Sequence, residues 1–443
     1  MFLLSLTWLA GACHNRPRAI LLSDDLLLRV QRARGLSFVS PVSVRRLQQG
    51  QIRSVIAEEI DRTYSPGELA RVARAWASLG MLPLGTDLRE VLLHFSGDAV
   101  AGFYAPLQGH LYVTRPPSGS PTARALFEQL LVHELTHALQ DLHSELVNVV
   151  LGLRDQDDLS FALGALLEGD ALFTERRDAQ LRGEQAPPDA LELSRMFNSA
   201  SAAAQFPDTP RSVREPFVLQ YPLGYTLVEG LVSSASVAPL DAALLDPPLS
   251  SEQLLHPEKY LHGEARDLPH FLRFPDQVTA PEPGCREIRR TTLGELGVRI
   301  WLTERLETLL APEERVDPDA IAAAAAGWAG DRVLVMSCPS GGAFAWLLRF
   351  DRESDAVAFA EHAGRAVVGL AATADLAGQV GVERENVDVL LSAGLPAESR
   401  AQLRAGLRSH RFPNLEAFLE AHPEVLERAR GLREASGSRT APR

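Results

Sequence analysis

His133-Glu134-Leu135-Thr136-His137 lies within a long segment, Thr122 to His143, that contains no glycine or proline. This segment predicts a single helix, because nothing inside it interrupts helical hydrogen bonding. The four-residue spacing places both imidazoles on one face of the helix, about one turn apart. Two nitrogens so placed can bind one zinc ion (Zn²⁺), and Glu134 beside them can take a proton from a zinc-activated water.

The rest of this helix favours burial of the histidine pair. Apolar residues occupy its other side, at Leu126, Phe127, Leu130, Leu131, Leu135 and Leu139. Buried histidines need polar partners, and a metal ion supplies one to both. The alternative is a pair of hydrogen-bonded core histidines.

Catalytic zinc usually has a third protein ligand and one open position. His143 stands where HExxHxxGxxH proteins place their third ligand. In this chain Gln140 occupies the glycine position of that pattern. A continuing helix would turn His143 about 120° away from His137. The alternative reading of His143 is a residue at the helix end.

Glu168 is the favoured third ligand. It lies in Ala165-Leu166-Leu167-Glu168-Gly169-Asp170-Ala171, within a second predicted helix, Ser160 to Gln180. An antiparallel partner helix can bring one carboxylate to the two histidines. Asp170 can then accept a hydrogen bond from a ligand histidine. The alternative for both acids is a structural role, which is also the role expected of Asp141, paired with arginine.

At these residues the chain resembles the gluzincin branch of zinc metallopeptidases, which are thermolysin-like enzymes with HExxH and a downstream glutamate ligand. It resembles more closely a group of poorly characterised bacterial proteins of that branch, often predicted to be exported. The matching segments run in order over about residues 36–370. They are GFY at 102–104, HELTHALQD at 133–141, LLEGDA at 166–171, YPLGY at 221–225, LLHPEKYLHGE at 254–264, TLGE at 292–295 and GWAGDR at 327–332.

The resemblance implies zinc bound by His133, His137 and Glu168, with Glu134 as general base. It also implies that the strand pair before the helix, near Tyr112, forms an edge on which a peptide would lie in extended form. A hydrolase needs a group that stabilises the oxyanion. Three residues can donate such a hydrogen bond, although each also has a structural reading: Tyr221, Tyr225 and His256.

The N-terminal residues 1–13 are read as an export signal. Met1 to Ala12 is almost wholly apolar but too short to span a bilayer as a helix. Leu9-Ala10-Gly11-Ala12-Cys13 resembles a bacterial lipoprotein processing site, with Cys13 as the acylated residue, although no Lys or Arg precedes the apolar run.

In an oxidising compartment Cys285 and Cys338 could form a disulfide, or both could be buried free thiols.

The patterns along the chain predict an α+β protein, rich in helices and with a small mixed sheet. The expected parts are an N-terminal helical lead-in (14–95), a zincin-like catalytic domain (96–270), a C-terminal α+β extension (284–370), and a helical region with a polar tail (371–443). Residues 185–216 are expected to form a loop, and residues 225–234 a helix.

The expected function is zinc-dependent hydrolysis of peptide bonds in a peptide or protein substrate. A formal net charge of −13 argues against nucleic acid as a partner. Contact with the membrane is expected only through the lipid anchor of an exported, cell-envelope protein. The alternatives are a catalytically inactive zinc-containing scaffold protein and an amidase that acts on a non-peptide amide.

Overall fold

The structure is a computed structural model that describes residues 22–97, 101–114, 120–232, 236–262, 266–309 and 316–437. The predicted export signal and Cys13 therefore lie outside the described residues. Helices make up 56% of the chain and strands 15%, so the predicted α+β class is confirmed. None of the helices in these ranges is long and apolar enough to cross a bilayer.

The N-terminal part consists mainly of helices. Ser23 caps the first helix by accepting a hydrogen bond from the N–H of Leu26, and Gly35 ends it in the left-handed conformation, at φ 84°. The elements in order are α1 (Asp24–Arg34), β1 (Ser43–Arg46), α2 (Ile52–Thr63), α3 (Glu68–Ser78) and α4 (Leu88–Gly97).

A mixed three-stranded sheet follows. Its other strands are β2 (Gly102–Ala105) and β3 (His110–Val113), and its order is β1-β3-β2. β1 is parallel to β3 and β2 is antiparallel to it. The sequence predicts an edge near Tyr112, but this residue lies in β3, which is paired on both sides. Tyr112 therefore does not line an edge of the sheet. The edge strand that packs against the next helix is β2.

Two long antiparallel helices carry the sequence motifs. They are α5 (Pro121–His143) and α7 (Asp157–Leu181), with the short α6 (Leu146–Gly152) between them. Contacts join His133 to Glu175 at one end and Gln140 to Leu167 at the other, which shows that the helices run in opposite directions. α5 continues without a bend to His143, as the absence of a glycine at position 140 predicts.

The predicted loop at 185–216 is wrong, because it contains two short helices and the start of a long one: α8 (Ala190–Met196), α9 (Ser199–Gln205) and α10 (Arg211–Leu231). Asp189 and Asn198 cap the two short helices through side-chain hydrogen bonds. α10 contains Pro216 and Pro222, and its packing against α7 stabilises the helix.

The crossing of α7 and α10 is very close. A Cβ added to Gly224 would lie 1.7 Å from the carbonyl oxygen of Ala165, and one added to Gly169 would lie 2.3 Å from the carbonyl of Gly224. Two motifs far apart in sequence, LLEGDA and YPLGY, therefore meet at their glycines. The contact fixes the turn of α7 that carries Glu168.

The C-terminal part contains an antiparallel five-stranded sheet of order β5-β6-β7-β9-β8 and a two-stranded sheet of β4 and β10. Its elements are α11 (Ala238–Leu245), α12 (Glu252–Leu255), α13 (Glu258–Leu261), β4 (Phe271–Arg273), β5 (Arg286–Thr291), α14 (Gly294–Leu309), α15 (Pro318–Ala325), β6 (Trp328–Cys338), β7 (Gly341–Phe350), α16 (Glu353–Ala366), α17 (Leu370–Thr373), β8 (Gly381–Glu385), β9 (Asp388–Ala393), α18 (Ala397–Ala405), β10 (Arg408–His410), α19 (Leu415–Ala421) and α20 (Glu424–Ala435).

The five-stranded sheet extends beyond the boundary predicted from the sequence. β8 and β9 come from the region that was expected to be helical, 371–443. One apolar core joins this sheet to α7, since Leu166 of α7 belongs to the same cluster of buried residues as Trp301 and Trp346. The C-terminal part therefore helps to hold the helix that carries Glu168.

Candidate metal centre

Three side chains from two helices converge between α5 and α7. One ligand atom from each of His133, His137 and Glu168 lies within 4.8 Å of the other two. Glu168 Oε2 is 3.0 Å from His133 Nε2 and 3.6 Å from His137 Nε2. None of the three residues is more than 2% exposed. The structure thus brings together the ligand set that the sequence favours.

Several atoms of this cluster have no hydrogen-bond partner among the described residues: His137 Nε2, Glu168 Oε1 and Glu134 Oε1. Buried polar atoms of native proteins are rarely left without a partner. A cation between the imidazoles and the carboxylate would satisfy the first two. Two neutral imidazoles and one carboxylate form a donor set that suits zinc, so the residues present fit the metal.

The hydrogen bonds behind the histidines fix which ring nitrogen faces the cluster. His133 Nδ1 lies 2.5 Å from Glu175 Oε1, and His137 Nδ1 lies 2.8 Å from Gln140 Oε1. Both oxygens accept, so each Nδ1 carries the proton. Nε2 is therefore the nitrogen of each ring that faces Glu168, and once it has lost its proton it can give its lone pair to a metal ion.

The electrostatics of the cluster favour a positive charge at its centre. Burial disfavours an imidazolium, but the hydrogen bonds to Glu168 and Glu175 outweigh burial and hold the pKa of His133 well above its usual value. Burial also disfavours the Glu168 carboxylate, but the two histidines lower its pKa to about 2. An environment that stabilises imidazolium also stabilises a metal cation.

Glu134 lies next to the cluster and is held from one side. Its Oε2 accepts a hydrogen bond of 2.7 Å from the backbone N–H of Tyr104 in β2. Its other carboxylate oxygen, Oε1, remains available. Burial raises the pKa of Glu134 to about 7, which suits a group that accepts and returns a proton near neutral pH.

Asp170 does not contact a ligand histidine, which corrects the expectation from the sequence. It accepts a 2.9 Å hydrogen bond from Gln140 Nε2, and Gln140 in turn contacts His137. Its other oxygen pairs at 2.5 Å with the buried guanidinium of Arg34, from α1. Asp170 thus orients His137 through Gln140.

The other two candidates near the helix end have structural contacts. His143 Nε2 lies 2.7 Å from the carbonyl of Ser37, away from the cluster. Asp141 pairs with Arg433 and accepts a 2.7 Å hydrogen bond from the hydroxyl of Tyr104. An arginine partner for Asp141 was expected from the sequence.

The three oxyanion candidates are not brought to one place. The ring of Tyr221 lies 6.5 Å from that of His133, between centroids. Tyr225 packs instead in the apolar cluster with Leu193 of α8. His256 Nε2 lies 3.2 Å from Glu295, at the contact between α12 and α14. Only Tyr221 is placed beside a metal-ligand candidate.

Cys285 and Cys338 are joined in a disulfide, which is one of the two states that the sequence left open. The bond links the chain before β5 to the end of β6.

Sequence reasoning missed Glu175, Gln140 and Arg34. Glu175 lies seven residues after Glu168, two turns along the same helix face, which was a usable signal. In the sequence, Gln140 is notable only because it replaces the glycine of the HExxHxxGxxH pattern, and nothing there indicates its contacts with His137 and Asp170. Arg34 carries no local signal, since its role depends on how α1 packs against α7.

Comparison with known proteins adds little about this centre. A family model described as a domain of unknown function (DUF8575) matches residues 282–404, from just before β5 to the end of α18. The matched region contains the five-stranded sheet and excludes α5 and α7. No curated protein and no solved structure matches the chain.

Proposed function

We propose that this protein is a zinc-dependent metallopeptidase with a zincin-like catalytic region built from α5, α7 and the sheet of β1–β3. The observation that carries the proposal is the convergence of His133, His137 and Glu168 in a buried cluster, in which His137 Nε2 and Glu168 Oε1 have no hydrogen-bond partner among the described residues. The small mixed sheet packed on α5 supports the same reading, as does the resemblance of the motifs to gluzincins.

Zinc held by these three residues would act as a Lewis acid towards the scissile carbonyl. Glu134 accepts a proton from the attacking water at Oε1 and passes it to the leaving amine as the C–N bond breaks. The backbone N–H of Tyr104 holds Oε2 and so aims the other oxygen. Tyr221, beside His133, is the proposed donor to the oxyanion.

The substrate is proposed to be a peptide in extended form beside β2. Within the described ranges, β2 pairs with β3 on one side only. An edge strand can accept a further strand through main-chain hydrogen bonds. A strand added there would lie near Glu134, which accepts a hydrogen bond from the Tyr104 N–H of β2.

The protein is further proposed to be exported and held at the membrane through an acylated Cys13. The Cys285–Cys338 disulfide supports export, since disulfides persist mainly in oxidising compartments.

A second candidate function is a zinc-containing scaffold protein without activity. The near-complete burial of all three ligand candidates and of Glu134 favours it, because structural sites are closed whereas catalytic sites keep an open position. An amidase that acts on a non-peptide amide would use the same residues as the peptidase.

The decisive experiment compares the parent protein with Glu134→Gln on a diverse peptide library, with and without chelator. Loss of the general base is expected to reduce hydrolysis by roughly 10²–10⁴-fold, while zinc content stays at the parent value. The matched control is Glu128→Gln, on the exposed side of α5, which is expected to retain full activity.

Parent-like hydrolysis by Glu134→Gln would exclude the mechanism. A parent protein that binds zinc but cleaves neither peptides nor other amides would favour the scaffold function.

A further inference from the structure

A groove of about 490 Å³ lies between β4, β5, β10 and the helices α19 and α20. Six arginines and four acids line it. The arginines are Arg154, Arg273, Arg290, Arg332, Arg408 and Arg428. This excess of positive charge contrasts with a chain whose net charge is −13.

The charges in the groove are unevenly paired. Three of the four acids have partners within it, in the pairs Asp276–Arg273, Glu287–Arg290 and Glu424–His422. Among the described residues, no carboxylate oxygen lies within 4.0 Å of three of the arginines: Arg332, Arg408 and Arg428. The remaining acid, Asp155, also lines the groove, and its charge acts on Arg332.

Arg332 is the most informative of the three. It is only 6% exposed. Its Nη1 donates to the carbonyl of Asp155 at 2.7 Å, while Nε has no partner in the described part of the chain. Burial lowers the pKa of Arg332 to about 10, and the charge of Asp155 offsets this only in part. The guanidinium still carries its charge at neutral pH, yet no carboxylate of the described residues forms an ion pair with it within 4.0 Å.

The surroundings would strengthen an anion's contact with Arg332. Phe271, Phe412 and Phe418 line the same groove and pack on one another, with ring centroids 5.1–5.5 Å apart. Apolar walls lower the local dielectric, which strengthens charge-assisted hydrogen bonds. Arg408 on β10 and Arg428 on α20 approach the groove from the other elements.

We propose that this groove binds a small oxyanion, a phosphate or a carboxylate group, through Arg332 together with Arg408 and Arg428. The planar guanidinium group suits either anion, because it donates two parallel hydrogen bonds. A neighbouring groove of about 600 Å³ shares Arg154, Arg290 and Arg428 with the first. It leaves room for a larger molecule that carries the anionic group. None of these residues belongs to the zinc site, so the proposal is independent of peptidase activity.

The test is calorimetric titration of the full chain with inorganic phosphate and, separately, with succinate at the same ionic strength. Saturable binding of at least one anion is expected. Arg332→Gln is expected to weaken it by roughly tenfold or more, as for loss of a charge-assisted hydrogen bond. Arg408→Gln is expected to weaken it by a smaller factor. The control is Arg365→Gln, an exposed arginine of α16 outside the groove.

Tighter binding of phosphate would identify the ligand as a phosphate ester, and tighter binding of succinate as a carboxylate. The proposal fails if neither anion binds saturably, or if Arg332→Gln binds as tightly as Arg365→Gln. Should Arg332→Gln not fold, Arg408→Gln and Arg428→Gln decide the matter, and parent-like binding by both overturns the proposal.

Discussion

Two of the three groups of potential metal ligands among the described residues, the ones without the disulfide cysteines, differ in what lies between their side chains. Glu252, Asp267 and Asp351 converge as closely as His133, His137 and Glu168 do. The ammonium group of Lys259 already lies among the three acids, at 2.5–3.4 Å from each. No lysine or arginine lies among the side chains of the histidine cluster within the described ranges, and two of its buried atoms, His137 Nε2 and Glu168 Oε1, have no hydrogen-bond partner there.

The difference shows what distinguishes a candidate metal site from a structural cluster. Buried acids that are satisfied by donors in the chain hold the fold together. Asp331 is a second example, since it accepts hydrogen bonds from two backbone N–H groups and from the indoles of Trp328 and Trp346. Where potential metal ligands converge, buried acceptor atoms that the described residues leave without partners are consistent with a bound cation.

The largest effect is expected from removal of the third ligand. Glu168→Gln should reduce zinc from about one ion per chain to less than about 0.1, because the weakly bound metal then dissociates during purification. Asp351→Asn, in the lysine-filled cluster, should leave the zinc content unchanged. Elemental analysis of the purified proteins measures both.

His143→Ala tests the alternative third ligand, the histidine of the HExxHxxGxxH pattern. It is expected to retain zinc, since His143 contacts the Ser37 carbonyl instead. Loss of zinc in His143→Ala and retention in Glu168→Gln would reverse the assignment of the third ligand.

A smaller effect is expected from a substitution at the crossing of α7 and α10, which positions Glu168. Gly224→Ala inserts a methyl group against the Ala165 carbonyl and forces α7 and α10 apart. Overpacking of this kind should lower the free energy of unfolding by roughly 3 kcal/mol. Denaturant unfolding measures the loss.

Gly230→Ala is the matched control on the same helix, because its added Cβ would meet only the flexible Leu261 side chain, at 3.1 Å. It should change stability by no more than about 1 kcal/mol in either direction. Equal stability of the two variants would contradict the close crossing of α7 and α10.

The smallest effect is expected from Glu175→Gln. The amide can still accept the hydrogen bond from His133 Nδ1 but lacks the negative charge. Zinc affinity should therefore fall by roughly 10–100-fold, as measured by competition with a chromophoric chelator. Glu128→Gln removes a carboxylate from the exposed side of α5 and should leave the affinity unchanged. An affinity of Glu175→Gln equal to that of the parent would show that this charge does not support the metal.

The helices of the site were predictable because their signals are local. The spacing of His133 and His137 and the uninterrupted segment to His143 predicted α5 and its polar face. Glu168 was found because α7 has its own apolar pattern. The loop predicted for 185–216 was wrong, since α8 and α9 are short capped helices and α10 tolerates its prolines only through packing against α7.

The partners behind the ligands were predictable only in part. Asp170 was identified as a supporting acid, but its contact with Gln140 depends on the register between α5 and α7. Arg34 and Tyr104 reach the site from α1 and β2, and no local pattern in the sequence specifies that approach.

The sequence by itself determined that two imidazoles share one helix face, that a glutamate lies beside them and that a second helix offers a carboxylate, because helical periodicity is set by the backbone alone. Only the tertiary structure decided which atoms are left without partners. Whether a buried charge is satisfied depends on contacts between distant segments. The lysine among Glu252, Asp267 and Asp351 shows this, as does Arg332, whose Nε has no partner among the described residues.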